Sequence, residues 1–220
     1  MNTAEAQIGK GIYTISDMSK IFRIPKSKVR YMFNSYIRDK FEKAADYRFF
    51  FGDKYKFVDF QTLIHLYIFF ELKERGISYR DIFKLYEFSV KDQGTHYPFT
   101  NHIKLYTQGK SILVEQKDGI IYTGDNKKQV YISEIIKPLS KKIEYTDNEI
   151  TKFFPLGRKK SIVINPSIRH GAPTINGTRI NAKSIYQLHE AGEKHTIISN
   201  MYNLSKKQIK DAVEFYSIAA

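Results

Sequence analysis

Cysteine and tryptophan are both missing from this 220-residue chain. Without cysteine there is no disulfide, no thiol nucleophile and no cysteine-ligated zinc. That absence fits a reducing compartment, and the chain is expected to be cytoplasmic. Long hydrophobic runs are missing too. The longest, around Leu63 to Phe70, is broken by His65 and is too short to span a bilayer. No basic start leads into an apolar stretch, so no signal peptide is expected. Catalytic patterns are equally scarce: there is no nucleophile elbow, no P-loop and no dinucleotide fingerprint. The six histidines, at 65, 96, 102, 170, 189 and 195, lack the spacing of a zinc motif. Acidic residues are scattered, which argues against a two-metal nuclease centre. The expectation is a non-enzyme with no metal and no cofactor.

What is abundant is positive charge and aromatic surface. Lysine and arginine number 36 against 23 acidic residues, a net charge of +13, which favours a polyanionic partner. The excess is uneven. Residues 158–220 hold ten basic residues against four acidic, residues 1–90 sixteen against eleven, and the middle ten against eight. Both ends are therefore candidate nucleic-acid faces; a basic surface that only aids solubility is the alternative. Sixteen Phe and sixteen Tyr within a 42% hydrophobic composition supply enough apolar area for cores.

The last third is the most patterned stretch. Ile162-Val163-Ile164 reads as a strand, and Gly171-Ala172-Pro173 and Asn176-Gly177 are turns around a short extended piece. Beyond them the hydrophobic period becomes helical through Ile180, Ile185, Leu188 and His189, and Gly192 reads as the stop. Ile197, Ile198 and Met201 then form one short face. Asn203-Leu204-Ser205 breaks it, with Ser205 as the cap of a second helix carrying Ile209, Ala212, Val213 and Tyr216 inward. Lys206, Lys207, Gln208 and Lys210 face out near its start, the half that enters the major groove in a helix-turn-helix.

The run Asn165-Pro166, Gly171-x-Pro173-x-Ile175-x-Gly177-Thr178-Arg179-Ile180, with Tyr202-x-Leu204-Ser205-x-x-Gln208-Ile209-x-x-Ala212, resembles a small bacterial domain family. It was catalogued as domain of unknown function four-three-three. The likeness covers roughly residues 160–217. The family is found in VapB-like antitoxins of type II toxin–antitoxin pairs, so the resemblance implies a PIN-like ribonuclease toxin as partner.

The N-terminal part shows a second pattern. Ser16 is read as the cap of a helix with Met18, Ile21 and Phe22 inward, and Arg23-Ile24-Pro25 as a turn. A helix to about Tyr36 follows, with Val29, Met32 and Phe33 inward. Residues 47–58 read as a β-hairpin with a basic tip, and Asp59 as the start of a helix from Phe60 to Glu74. Ser78 and Asp81 mark a further helix. Through Tyr13-Thr14-Ile15, Ser19, Ile24, Val29-Arg30-Tyr31, Tyr55, Phe57, Asp59 and Gly76-Ile77-Ser78, this order resembles a MerR-like winged helix-turn-helix. Two departures stand out. Arg23 replaces the usual turn glycine, and Tyr55 the wing arginine. Residues 95–136 are β-prone and read as an antiparallel meander, and 137–160 as a connector.

The expected fold class is α+β in three parts: a winged helix-turn-helix over 1–94, a meander and connector over 95–160, and a mainly α helix-turn-helix domain with short strands over 161–220. The expected function is a DNA-binding antitoxin that represses its own operon and neutralises the toxin. A stand-alone MerR-like regulator is the alternative, and a basic RNA-processing enzyme a third reading. The DNA contacts expected are Lys26, Ser27, Lys28, Arg30, Tyr31, Asn34, Lys54 and Lys56, with Lys206, Lys207, Gln208 and Lys210. Arg179, Ile175, Phe153 and Phe154 are the expected contacts to the toxin or to the second protomer of a homodimer, the alternative for Arg179 being a brace to Glu190, Glu193 or a helix C-terminus within its own domain.

Overall fold

The computed structural model of the chain describes residues 10–34, 49–51, 56–74, 78–80, 82–83, 86–87, 90, 138–139, 141–146 and 149–217. The expected meander at 95–136 and the hairpin tip with Lys54 and Tyr55 lie outside these residues. The architecture is mixed α and β, with helices and small antiparallel strand pairs. By packing, the chain divides into two units, one of Met1–Phe60 with Thr151–Ala220, the other Gln61–Ile150.

In the first unit β1 (Tyr13–Thr14) leads into α1 (Ile15–Phe22) and α2 (Lys26–Met32). The cap of α1 is Thr14, not Ser16. Thr14 is already extended because it pairs with Phe57, and Asp17 three residues on completes a reciprocal capping box. The Asp17 carboxylate accepts from the Thr14 backbone N–H at 2.9 Å, and the Thr14 hydroxyl accepts from the Asp17 N–H at 3.2 Å. β2 (Phe49–Phe51) and β3 (Lys56–Val58) form the expected hairpin, in the register Phe49 to Val58. With β1 on the other side of β3 they make a three-stranded sheet. Met18, Ile21, Val29, Met32 and Phe33 are buried, as their helical spacing predicts.

The rest of this unit is the C-terminal stretch. β5 (Glu149–Phe153) bridges to Ile164 through Phe153. β6 (Ile162–Val163) pairs with β7 (Thr174–Ile175) in the register Ile162 to Ile175. The Asn176-Gly177 turn has only Gly177 left-handed, at φ 79°, with Ile175 O accepting from Thr178 N–H. That is the pattern of a type II turn rather than of one with two left-handed residues. Next come α4 (Ala182–Glu190), α5 (His195–Tyr202) and α6 (Lys206–Ser217). Gly192, at φ 87°, ends α4 by letting Glu193 N–H reach back to Leu188 O. α6 packs on α4, α5 and β6, and Ile209, Ala212 and Phe215 of α6, Ile162 of β6, Ile185 of α4 and Ile198 of α5 are all fully buried. Each such Ile or Phe side chain contributes about 1.5–3 kcal/mol of burial.

The second unit contains most of α3 (Phe60–Glu74), which starts directly after Asp59 as expected. This helix is apolar around its whole circumference, with Leu63, Ile64, Leu66 and Phe69 all fully buried. His65 is buried among them, edge-on to Tyr86 at 5.7 Å. Burial pushes its imidazole down to about 3. β4 (Ile143–Thr146) belongs to this unit. Among the described residues no helix is long and apolar enough to cross a membrane.

Candidate functional site

The two helix pairs, α1–α2 and α5–α6, are joined by turns of the same construction. In the first, the Ser19 hydroxyl donates to Ile24 O at 2.6 Å while Ile24 N–H donates to Ser19 O at 3.1 Å. In the second, the Ser199 hydroxyl donates to Leu204 O at 2.6 Å and Leu204 N–H to Ser199 O at 3.1 Å. Between them stands one left-handed residue each, Arg23 at φ 60° and Asn203 at φ 52°. The left-handed conformation that glycine would hold is thus kept without glycine, at a cost of about 1–2 kcal/mol for a residue with a side chain. Each second helix begins two residues after the bonded carbonyl, at Lys26 and at Lys206, and each buries its fourth residue, Val29 and Ile209.

The sequence-predicted DNA contacts fall on the outer faces of these second helices, with different freedom. On α2, Lys26, Ser27, Arg30 and Tyr31 are exposed, as is Asn34 just beyond, and Lys28 is half-buried. On α6, Lys206 and Lys210 are exposed and, among the described residues, unpaired. Gln208 is occupied: its side chain accepts from Ser205 N–H at 2.8 Å, and its own N–H donates to the Ser205 hydroxyl at 3.2 Å. That is the capping box which Ser205 announced, closed by a residue expected to read DNA. Lys207 is occupied as well, donating to Lys159 O at 2.7 Å and lying 3.5 Å from Asp211. Lys56 lies on β3, and Lys54 is outside the described residues.

Sequence reading missed the acidic clamp beneath α6. Asp211 is buried at 3% exposure and accepts from Ser161 N–H at 2.8 Å, with Lys160 Nζ 3.3 Å away. Burial pushes its carboxyl up, but the Ser161 hydrogen bonds and Lys160 outweigh this and hold it below the usual carboxylate range. Lys160 also donates to Glu214 at 2.6 Å. Only the acidic residues at helical spacing hinted at this.

The expected partner contacts divide. Phe153, Phe154 and Ile175 expose 0%, 4% and 0% of their surface and are core residues, Phe153 at the end of β5, Phe154 just beyond it and Ile175 on β7. The strands around them are packed within the same chain, β6 by α6 and β7 by α4, and Ile162, Val163 and Ile164 are buried as well. Arg179 alone stands at the surface. It has a rigid base: the Thr178 hydroxyl donates to Ile175 O at 2.9 Å and accepts from Ile180 N–H at 3.0 Å. The expected brace to Glu190 or Glu193 is not made; the ion pairs of this region run through Lys160 and Lys207. Instead the Arg179 carbonyl accepts from Arg169 Nε at 3.1 Å.

Arg169 itself marks a strained turn. Arg169, His170 and Gly171 are consecutively left-handed, at φ 53°, 54° and 83°. The two non-glycine residues cost about 1–3 kcal/mol each, strain of the kind that gathers at functional sites.

Comparison with known proteins agrees with the C-terminal pattern. The family described as "Protein of unknown function (DUF433)" matches residues 162–216. An uncharacterized protein of Mycobacterium tuberculosis, Rv2308, is 39% identical over 66 residues, which are 30% of this chain. The match spans about a quarter (26%) of that relative's own length. The crystal structure of Rv2018 from Mycobacterium tuberculosis superposes with a TM-score of 0.67 at 16% identity, over 91% of this chain and 96% of that one. That likeness is one of fold.

Proposed function

We propose that this chain is a DNA-binding antitoxin that represses its own operon and neutralises a PIN-like ribonuclease. The single observation carrying the DNA half is the repeated turn: two helix pairs of one design, each presenting exposed cations on its second helix, in a chain of net charge +13. On this reading α1–α2 with the β2–β3 hairpin is a winged helix-turn-helix of MerR-like kind, and α5–α6 a second helix-turn-helix. Lys26, Arg30, Lys206 and Lys210 bind phosphates, and Ser27, Tyr31 and Asn34 face the bases. The toxin half rests on the resemblance of the C-terminal stretch to antitoxin-associated domains and on Arg179, which is exposed and, among the described residues, forms no ion pair.

The test is duplex binding to the DNA upstream of its own gene across a salt series. Each phosphate contact adds roughly 0.9 to the log–log slope. Lys26→Ala with Arg30→Ala should flatten the slope by about two contacts' worth, as should Lys206→Ala with Lys210→Ala. An unchanged slope in one pair removes that helix from the interface, and in both pairs ends the DNA reading. Co-purification from the native host separates an antitoxin, which brings a ribonuclease with it, from a stand-alone regulator.

A further inference from the structure

The strained turn at Arg169–Gly171 walls a pocket of about 230 Å³ inside the first unit, between it, α1 and the start of α4. This is below the roughly 300–1,000 Å³ of sites for drug-sized ligands, so its occupant is small. Its charge is lopsided. Lys20, Arg169 and Lys183 line it, with His170 beside them. The one acid, Asp17, has its carboxylate committed to Thr14 in the capping box. Ile12, Ile21 and Pro173 supply apolar wall. The first turn of α4 adds the positive end of a helix, Asn181 being its cap.

A second observation points the same way. Tyr13, also in the wall, is 1% exposed, and its hydroxyl has no hydrogen-bond partner. A buried hydroxyl left unsatisfied costs free energy, so the wall is held at some expense. The neighbouring backbone is held in a left-handed conformation at Arg169 and His170 that packing alone does not favour.

We propose that this pocket binds a small organic anion: an oxyanion head held by Lys20, Lys183 and Arg169, with an apolar body against Ile12, Ile21 and Pro173. The site owes nothing to the DNA or toxin reading and is tested without either partner.

The probes are benzoate and inorganic phosphate, titrated calorimetrically into the full chain at constant ionic strength set with chloride. Benzoate should bind with millimolar affinity or better and raise the melting temperature. Phosphate binding alone would assign a phosphate head without an apolar body and would overturn the apolar part of the assignment. Lys20→Gln and Lys183→Gln should each weaken binding about tenfold while the unliganded protein melts unchanged. Absence of heat and of a melting shift with both probes overturns the proposal. So does binding that survives the lysine double variant, which would mark a non-specific ion effect.

Discussion

Tyr13 and Gly171 pack so closely that the phenol hydroxyl occupies the space where a side chain on residue 171 would begin. Gly11 closes the other side, its hypothetical β-carbon falling 2.7 Å from the same hydroxyl. The contact joins β1 to the C-terminal stretch. Gly171 is also left-handed, so both space and backbone demand glycine. Gly171→Ala should destabilise the protein by more than about 2 kcal/mol, read as a lower melting temperature. Adding Tyr13→Phe should recover part of the loss, because the phenyl ring still crowds the site while the oxygen is gone. No recovery in the double variant would show that the hydroxyl is not what residue 171 meets.

The paired turns give a second expectation. Arg23 and Asn203 hold equivalent left-handed positions, but asparagine tolerates that conformation better than arginine. Arg23 also buries Nε without a hydrogen-bond partner. Arg23→Gly should therefore stabilise by up to about 1 kcal/mol, and Asn203→Gly by distinctly less. Thermal melts of the two variants side by side decide it, and equal shifts would remove the argument. Ser19→Ala should cost about 1 kcal/mol through its bond to Ile24 O.

How far the sequence foretold this follows from range. Elements set by local chemistry were legible: the Ser205 cap, the Gly192 stop, α3 starting after Asp59 and the hairpin of 49–58. Where two local solutions competed, the sequence left the choice to tertiary pairing. Thr14 displaced Ser16 as cap because β1 joined β3. Contacts between distant stretches carry no periodicity. Tyr13 on Gly171 and Asp211 on Ser161 were invisible for that reason. So was the tether of Lys207 to Lys159, whereas Ser205-x-x-Gln208 is a local capping box whose spacing is legible in the sequence.

Acid stability should have two separable limbs. A carboxyl held below its ordinary value stabilises the fold fully above the unfolded pKa, about 3.9, and the contribution is lost as pH falls through the lower folded value. Asp211 is such a group. His65 acts higher. Its imidazole takes a proton near about 6.5 when unfolded but only at about 3 when buried, so stability declines from about pH 6.5 downward. Melting temperature against pH should lose its upper limb in His65→Leu and its lower limb in Asp211→Asn. A wild-type profile flat between pH 7 and 4, on the order of a degree, would contradict the buried neutral histidine.

Arg179 provides the sharpest separation between structural and interaction roles. Its backbone is fixed from both sides, by the Thr178 hydroxyl and by Arg169 Nε on its carbonyl, so the segment does not depend on the guanidinium. The side chain is exposed. Arg179→Ala should therefore shift stability by no more than about 0.5 kcal/mol, the range of ordinary surface changes. A rigid base with a free planar guanidinium suits a bidentate grip on a carboxylate, such as the acidic residues that hold metal in a PIN-like ribonuclease. If Arg179 makes that contact, its truncation should cost about 2 kcal/mol or more of partner binding, a loss of roughly thirtyfold or greater. Lysine should restore only part of it, since an ammonium cannot make the paired bonds. A lowered melting temperature would return Arg179 to a structural role. Unchanged melting with undiminished capture of the proposed ribonuclease partner would remove Arg179 from that interface.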